Sequence, residues 1–164
     1  MRNASELWIE ISIPQQRLWL RRGDDVVLQA PVSTAVNGPG ERMNSECTPR
    51  GRHIVRARIG AGCPANMVFV GRRSTGEIYS PALARDYPGR DWILTRILWL
   101  SGLEVGRNRL GDVDTMRRYI YIHGTPDTTE LSQPGSRGCV RMANDDIIRL
   151  FDQVPAGTLV VIND

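Results

Sequence analysis

Apolar and polar residues alternate in short stretches along most of the chain. Residues 7–13 (LWIEISI), 17–20 (RLWL), 26–32 (VVLQAPV), 53–59 (HIVRARI), 67–70 (MVFV) and 118–122 (RYIYI) are strand-like. In such stretches a period near two sends successive side chains to opposite faces. They are rich in β-branched and aromatic residues, which suit a pleated, half-buried surface. Ten prolines and sixteen glycines break the chain between them, so the pattern predicts many short strands in an antiparallel arrangement. Residues 33–49, rich in Gly, Asn, Ser and Pro, read as a long loop. Residues 92–100 (WILTRILWL) fit a helix or a buried strand equally well. A helix is predicted after residue 143, with Asn144 as N-cap, Asp145 and Asp146 in the first turn, and Ile147, Leu150, Phe151 and Val154 on one face. Pro155 ends it, and Gly157 turns the chain into a last strand over 158–162. The expectation is a mainly β fold with one or two short helices. No repeat, low-complexity tract or linker divides it, so residues 1–164 are expected to form one domain.

Composition narrows the chemistry. All 21 basic residues are arginine, and there is no lysine. P-loop phosphate binding and Schiff-base catalysis therefore have no amine to use. The two histidines, His53 and His123, are not at the HExxH spacing of a helical zinc protease. Cys47, His53 and Cys63 fit no common zinc spacing and have no evident fourth ligand, so small buried residues and a strand histidine are the expectation there. Net charge is only +3 and the arginines are scattered, which argues against nucleic acid as a partner. Arg50, Arg52, Arg56 and Arg58 share parity and are expected to form a solvated face. Apolar runs stop at four residues, well short of a membrane span or a signal-peptide core. The odd count of three cysteines fits a reducing compartment. A cytoplasmic location without membrane partners is expected on these grounds.

The most informative stretch is YIYIHGTPDTTELSQPGSRGCVRM, residues 119–142. Strand parity puts Tyr119, Tyr121 and His123 on one face, with Ile120 and Ile122 on the other. Fifteen residues separate His123 from Cys139, enough for the chain to fold back and bring the two together. An imidazolium beside a cysteine lowers the thiol pKa, so a thiolate is expected at neutral pH, and the histidine can later protonate a leaving amine. Gly138 permits a sharp turn that aims main-chain N–H groups at a developing oxyanion. Spacing alone, however, favours a buried structural cysteine and a hydrogen-bonded core histidine.

The whole string shifts that balance. His-Gly-Thr at 123–125, Ser-x-Gly-Cys-Val-Arg-Met at 136–142, Asn-x-Asp at 144–146 and Gly-Thr-x-Val at 157–160 closely resemble the catalytic core of the L,D-transpeptidases, the YkuD/ErfK family. Val32-Ser33-Thr34 and Thr48-Pro49-Arg50-Gly51 resemble that family's upstream part. The resemblance implies a β-sandwich with Cys and His in a cleft, no cofactor and no metal, and peptidoglycan stem peptides as substrate. It implies that Cys139 attacks the carbonyl of the third stem residue, that D-Ala leaves, and that water or an amine resolves the thioester. His123 would be base and then acid, held by the Gly124 carbonyl, and backbone amides of Gly138 and Cys139 would form the oxyanion hole. Arg141, Tyr121, Arg137 and Ser136 are the candidate substrate contacts. Arg141 would grip a carboxylate or, equally, pair with Asp145 or Asp146. Arg137 stands where many members have histidine, and arginine does not titrate near neutrality. In the cytoplasm there is no sacculus to crosslink, but free muropeptides from wall turnover are present, so the expected acceptor is water; the alternatives are transfer to an amine and, in another class, a non-catalytic peptidoglycan-binding module.

Overall fold

The computed structural model describes residues 5–164; the first four positions of the expected domain and of the N-terminal segment lie outside the described residues. A hairpin of β1 (Leu7–Ser12) and β2 (Arg17–Arg22) is extended by β3 (Asp25–Pro31). The long loop follows, then β4 (Gly51–Ile59), β5 (Met67–Val70), β6 (Arg73–Ile78) and the short helix α1 (Pro81–Asp86). The second half contains β7 (Ile93–Gly102), β8 (Tyr121–Thr125), β9 (Val140–Ala143), α2 (Asn144–Gln153) and β10 (Leu159–Asn163). Among the described residues no helix is long and apolar enough to cross a membrane.

The ten strands form one sheet in the order β3-β2-β1-β10-β4-β7-β5-β6, with β8 on β7 and β9 on β8. Most pairings are antiparallel, but β1 with β10 and β8 with β9 run parallel. A parallel return needs a long crossover, and the segment between β8 and β9 supplies one. The sheet curls until its ends meet. Ser33, just beyond β3, exchanges backbone hydrogen bonds with Arg141 on β9 at 3.0 and 2.9 Å. Enclosed in the curl are the alternate apolar residues that the pattern picked out, among them Ile9, Ile11, Leu18, Leu20 and Ile122, together with Val140 of β9. Helix α2 closes the core with Ile147, Leu150 and Phe151. Fully burying each such side chain contributes roughly 1.5–3 kcal/mol.

Residues 92–100 resolve as strand, because β7 is paired by β4 and β5 and also by β8. Two expectations need correction. Residues 118–120 are not strand: Tyr119 has φ 58° and is exposed, and β8 begins at Tyr121. Asn144 does not cap α2. The cap position is Ala143, without a side-chain bond, because the Asn144 amide is held elsewhere. It accepts from Thr95 Oγ1 at 2.5 Å and donates to Asn66 Oδ1 at 2.9 Å.

Candidate active site

The parallel pair β8–β9 sets Tyr121 beside Cys139 and His123 beside Arg141, since Ile122 aligns with Val140 and His123 with Arg141. Alternation then divides the pair into two faces. Ile122, Val140 and Met142 enter the core. Tyr121, His123, Cys139 and Arg141 line a cleft of about 350 Å³. The side chains that sequence parity and motif selected are therefore brought together by one register.

His123 is 1% exposed, and its Nδ1 lies 2.6 Å from the Gly124 carbonyl oxygen. A carbonyl only accepts, so Nδ1 carries the proton and Nε2 keeps its lone pair. Burial lowers the histidine pKa, and so does the Arg141 charge; the Gly124 carbonyl and Asp91 oppose them. Residue 124 has no room for a side chain. A Cβ there would meet Asn144 Oδ1 and sit 2.6 Å from the Leu94 carbonyl. Thr95 at φ 77°, a conformation β-branched residues rarely adopt, marks the irregularity in β7 opposite this point. Thr95 and Asn144 thus fix the peptide that holds the imidazole.

Cys139 Sγ receives the Tyr121 N–H at 3.3 Å and lies 3.4 Å from the Tyr119 carbonyl, to which its S–H donates. Burial pushes the thiol up to about 12; the Tyr121 amide and nearby guanidiniums lower it, and Asp91 raises it. Against the expected thiolate, burial disfavours either ion, thiolate or imidazolium.

The turn before Cys139 is braced on all sides. Ser136 Oγ donates to the Cys139 carbonyl at 2.5 Å and accepts the Gly138 N–H at 3.2 Å. Thr48 Oγ1 donates to the Gly138 carbonyl at 2.9 Å and accepts the Ala35 N–H. Gly138 has φ 130°, and a Cβ there would be 3.0 Å from Ile120 Cδ1. The upstream Ser33 and Thr48 are thus structural supports of the cysteine turn. The Gly138 amide donates to Ser136 Oγ, while the Cys139 N–H has no partner among the described residues. Ser136, 3% exposed, braces the turn and also lines the cleft.

Arg141 pairs with neither Asp145 nor Asp146. It reaches Asp91 at 3.0 Å and the Gly135 carbonyl at 2.8 Å. Arg137 is exposed on the cleft rim, with no side-chain partner among the described residues. Two charged cleft residues were not anticipated, Arg72 and Asp91. They arrive from the β5–β6 turn and from the segment before β7, and no local pattern flags them. Cys47, His53 and Cys63 do not gather into a cluster. His53 is fully buried and held by the Gly51 carbonyl (3.1 Å) and Thr115 Oγ1 (3.0 Å). Arg52, Arg56 and Arg58 are exposed on β4 while His53 and Val55 between them are buried, as the parity predicted. Arg50, just before the strand, pairs with Glu41 and Asp164, and Arg58 also lies over the Phe151 ring.

The profile of the YkuD L,D-transpeptidase catalytic domain matches residues 6–162. The chain belongs to this family. YqjB of Bacillus subtilis, which carries an L,D-transpeptidase name, is 44% identical over 47 residues, 29% of this chain and 27% of that protein. ErfK/SrfK of Salmonella typhimurium, similarly named, is 49% identical over 47 residues, 29% of this chain and 15% of its own length. The matched region thus spans under a third of these relatives. Among solved structures, the ertapenem-acylated catalytic domain of an E. faecium L,D-transpeptidase superposes with TM-score 0.57 at 17% identity, over 98% of this chain and 99% of that one. An L,D-transpeptidase from Xylanimonas cellulosilytica gives 0.55 at 20%, covering 99% and 62%. These likenesses establish the fold, a curled β-sandwich of the L,D-transpeptidase type.

Proposed function

We propose that this L,D-transpeptidase-family domain cleaves the L,D-peptide bond before the terminal D-Ala of peptidoglycan stem tetrapeptides through a thioester on Cys139. The observation that carries this reading is the register of β8 and β9, which faces Cys139 and His123 into one cleft with Nε2 unprotonated. As the thiol attacks the carbonyl of the third residue, His123 Nε2 takes its proton, and the Cys139 N–H faces the developing oxyanion. The imidazolium exists only while that charge exists, and it returns its proton to the departing amine of D-Ala. His123 then activates the acceptor, which resolves the thioester and restores the thiol.

Water is the acceptor in this proposal, making the activity that of an L,D-carboxypeptidase. The cleft carries Arg72, Arg137 and Arg141 against the single acid Asp91. Such a lining attracts an anionic acyl donor and repels a cationic amine. The second reading, transfer to an amine to form 3-3 crosslinks or exchange D-amino acids, draws on the names of the relatives. Mass spectra after incubation with a disaccharide tetrapeptide separate the two. Tripeptide alone supports hydrolysis; dimers, or exchange with added glycine, support transfer. If neither forms, or Cys139→Ala keeps full activity, the acyl-transfer reading fails.

A further inference from the structure

Arg72 occupies the tip of the β5–β6 hairpin, where Gly71 (φ 56°) and Arg72 (φ 65°) form a two-residue turn. Both central residues of such a turn are left-handed, which matches the twist of the strands. Its half-buried side chain extends into the cleft. The guanidinium lies 4.8 Å from the Trp99 ring and 4.6 Å from the Tyr119 ring, and donates to Tyr121 Oη at 3.0 Å. Trp99 in turn packs edge-on against Tyr121, with centroids 6.2 Å apart. Every partner of this cation is an uncharged aromatic. Arg141, across the same cleft, is neutralised by Asp91; Arg72 has no acid.

Stacking on rings orients a guanidinium without using its N–H edge. Of its five N–H donors, one goes to Tyr121. Because Tyr121 Oη accepts that bond, its own O–H remains available to donate. A charged donor and a hydroxyl therefore converge beside Cys139, which neighbours Tyr121 in the β8–β9 register.

We propose that Arg72, with the Tyr121 hydroxyl, forms a binding site for a carboxylate of the substrate. The inference rests on the acyl-transfer reading for its substrate class. It makes Arg72 a specificity residue contributed by a hairpin remote in sequence from the Cys–His segment. Two carboxylates of a stem tetrapeptide have the required chemistry: the terminal one, and the side-chain one of a diaminopimelate third residue.

The test compares wild type with Arg72→Gln and Arg72→Lys on tetrapeptides whose terminus is free or amidated, and whose third residue is diaminopimelate or lysine. Removing the recognised carboxylate should lower wild-type kcat/KM by about tenfold or more, mainly through KM, as expected for one charge-assisted pair. The peptide that responds identifies which carboxylate is bound. Arg72→Gln should show the same loss on the intact peptide and no further loss on the neutralised one. Arg72→Lys, which keeps the charge, should recover part of the discrimination. Wild type indifferent to both carboxylates, or Arg72→Gln retaining the discrimination, overturns the proposal. Calorimetric titration of the same peptides into Cys139→Ala, with and without Arg72→Gln, reads the site without turnover. Equal affinities there would overturn it too. Failure of wild type to acylate on any peptide counts against the acyl-transfer reading instead.

Discussion

With the Cys139 thiol raised to about 12 and His123 kept neutral by burial, the proposed attack calls for the thiol proton to leave during it and not before. In the proposed reaction the two groups act as one unit, with Tyr121 N–H steadying the sulfur and the Gly124 carbonyl steadying the ring. Alkylation by iodoacetamide should therefore be slower at Cys139 than at free cysteine near neutral pH, and should keep rising well past the free-thiol range of about 8.5. A rate already level around pH 7 would show a standing thiolate and contradict this. The glycine after the histidine is the tightest position of the site. Gly124→Ala forces a methyl against Asn144 and the Leu94 carbonyl. It should cost about 1–3 kcal/mol as overpacking and displace the imidazole. Chemical denaturation and the acylation rate should fall together; an active, stable alanine variant would refute the fit. Cys139 and His123 were legible because their neighbours in sequence carry a specific string. Arg72 and Asp91 were not, since nothing near them in sequence reports what the sheet later places opposite.

Among elements, alternation was a sound guide wherever a strand has one face in the core. β1, β2, β4 and β5 lie within a few residues of their expected bounds. β6 (RSTGEI) escaped notice because it pairs only with β5 and buries no side chain fully, so burial imposes no period on it. β9 (VRMA) escaped notice as well. The stretch RYIYI misled in the opposite way. It alternates well, but its first three residues belong to the turn that sets the Tyr119 carbonyl beside Cys139. Asn144 had the chemistry of a cap, and a tertiary network claimed it. Substituting Asn144→Ala leaves Thr95 Oγ1 and Asn66 without their buried partner. The expected loss is about 1–3 kcal/mol of stability from unsatisfied polar groups. Its second signature is a lower kcat with KM little changed, because the peptide under His123 loosens. A variant that loses stability but keeps kcat would reduce Asn144 to a purely structural role.

For the molecule as a whole, both histidines are buried as neutral rings. Burial lowers His53 to about 4, against the pull of the Gly51 carbonyl and Glu104, and His123 is lowered as well. The unfolded chain protonates each near 6.5, so it binds more protons than the fold between that value and the folded pKa. Stability is thus complete above about pH 6.5 and declines as pH falls toward 4, with roughly 3 kcal/mol at stake for His53. The carboxylates held low by arginine, such as Glu41 and Glu77, weaken the fold only below about pH 4.5. Urea midpoints should therefore drop between about pH 7 and pH 5, and His53→Gln should flatten part of that slope. A flat wild-type profile over this window would contradict the burial of uncharged rings. The sheet order has a consequence for assembly. β10 lies between β1 and β4, while the turn carrying Cys139 is stitched to residues just after β3. Without Leu159–Asn163 the edges of β1 and β4 are open, and the first hairpin is joined to the later strands only through the seam beyond β3 and the shared core. The seam that positions the cysteine turn thus depends on a strand far from it, and loosening β10 should disturb the cleft without touching any residue in it.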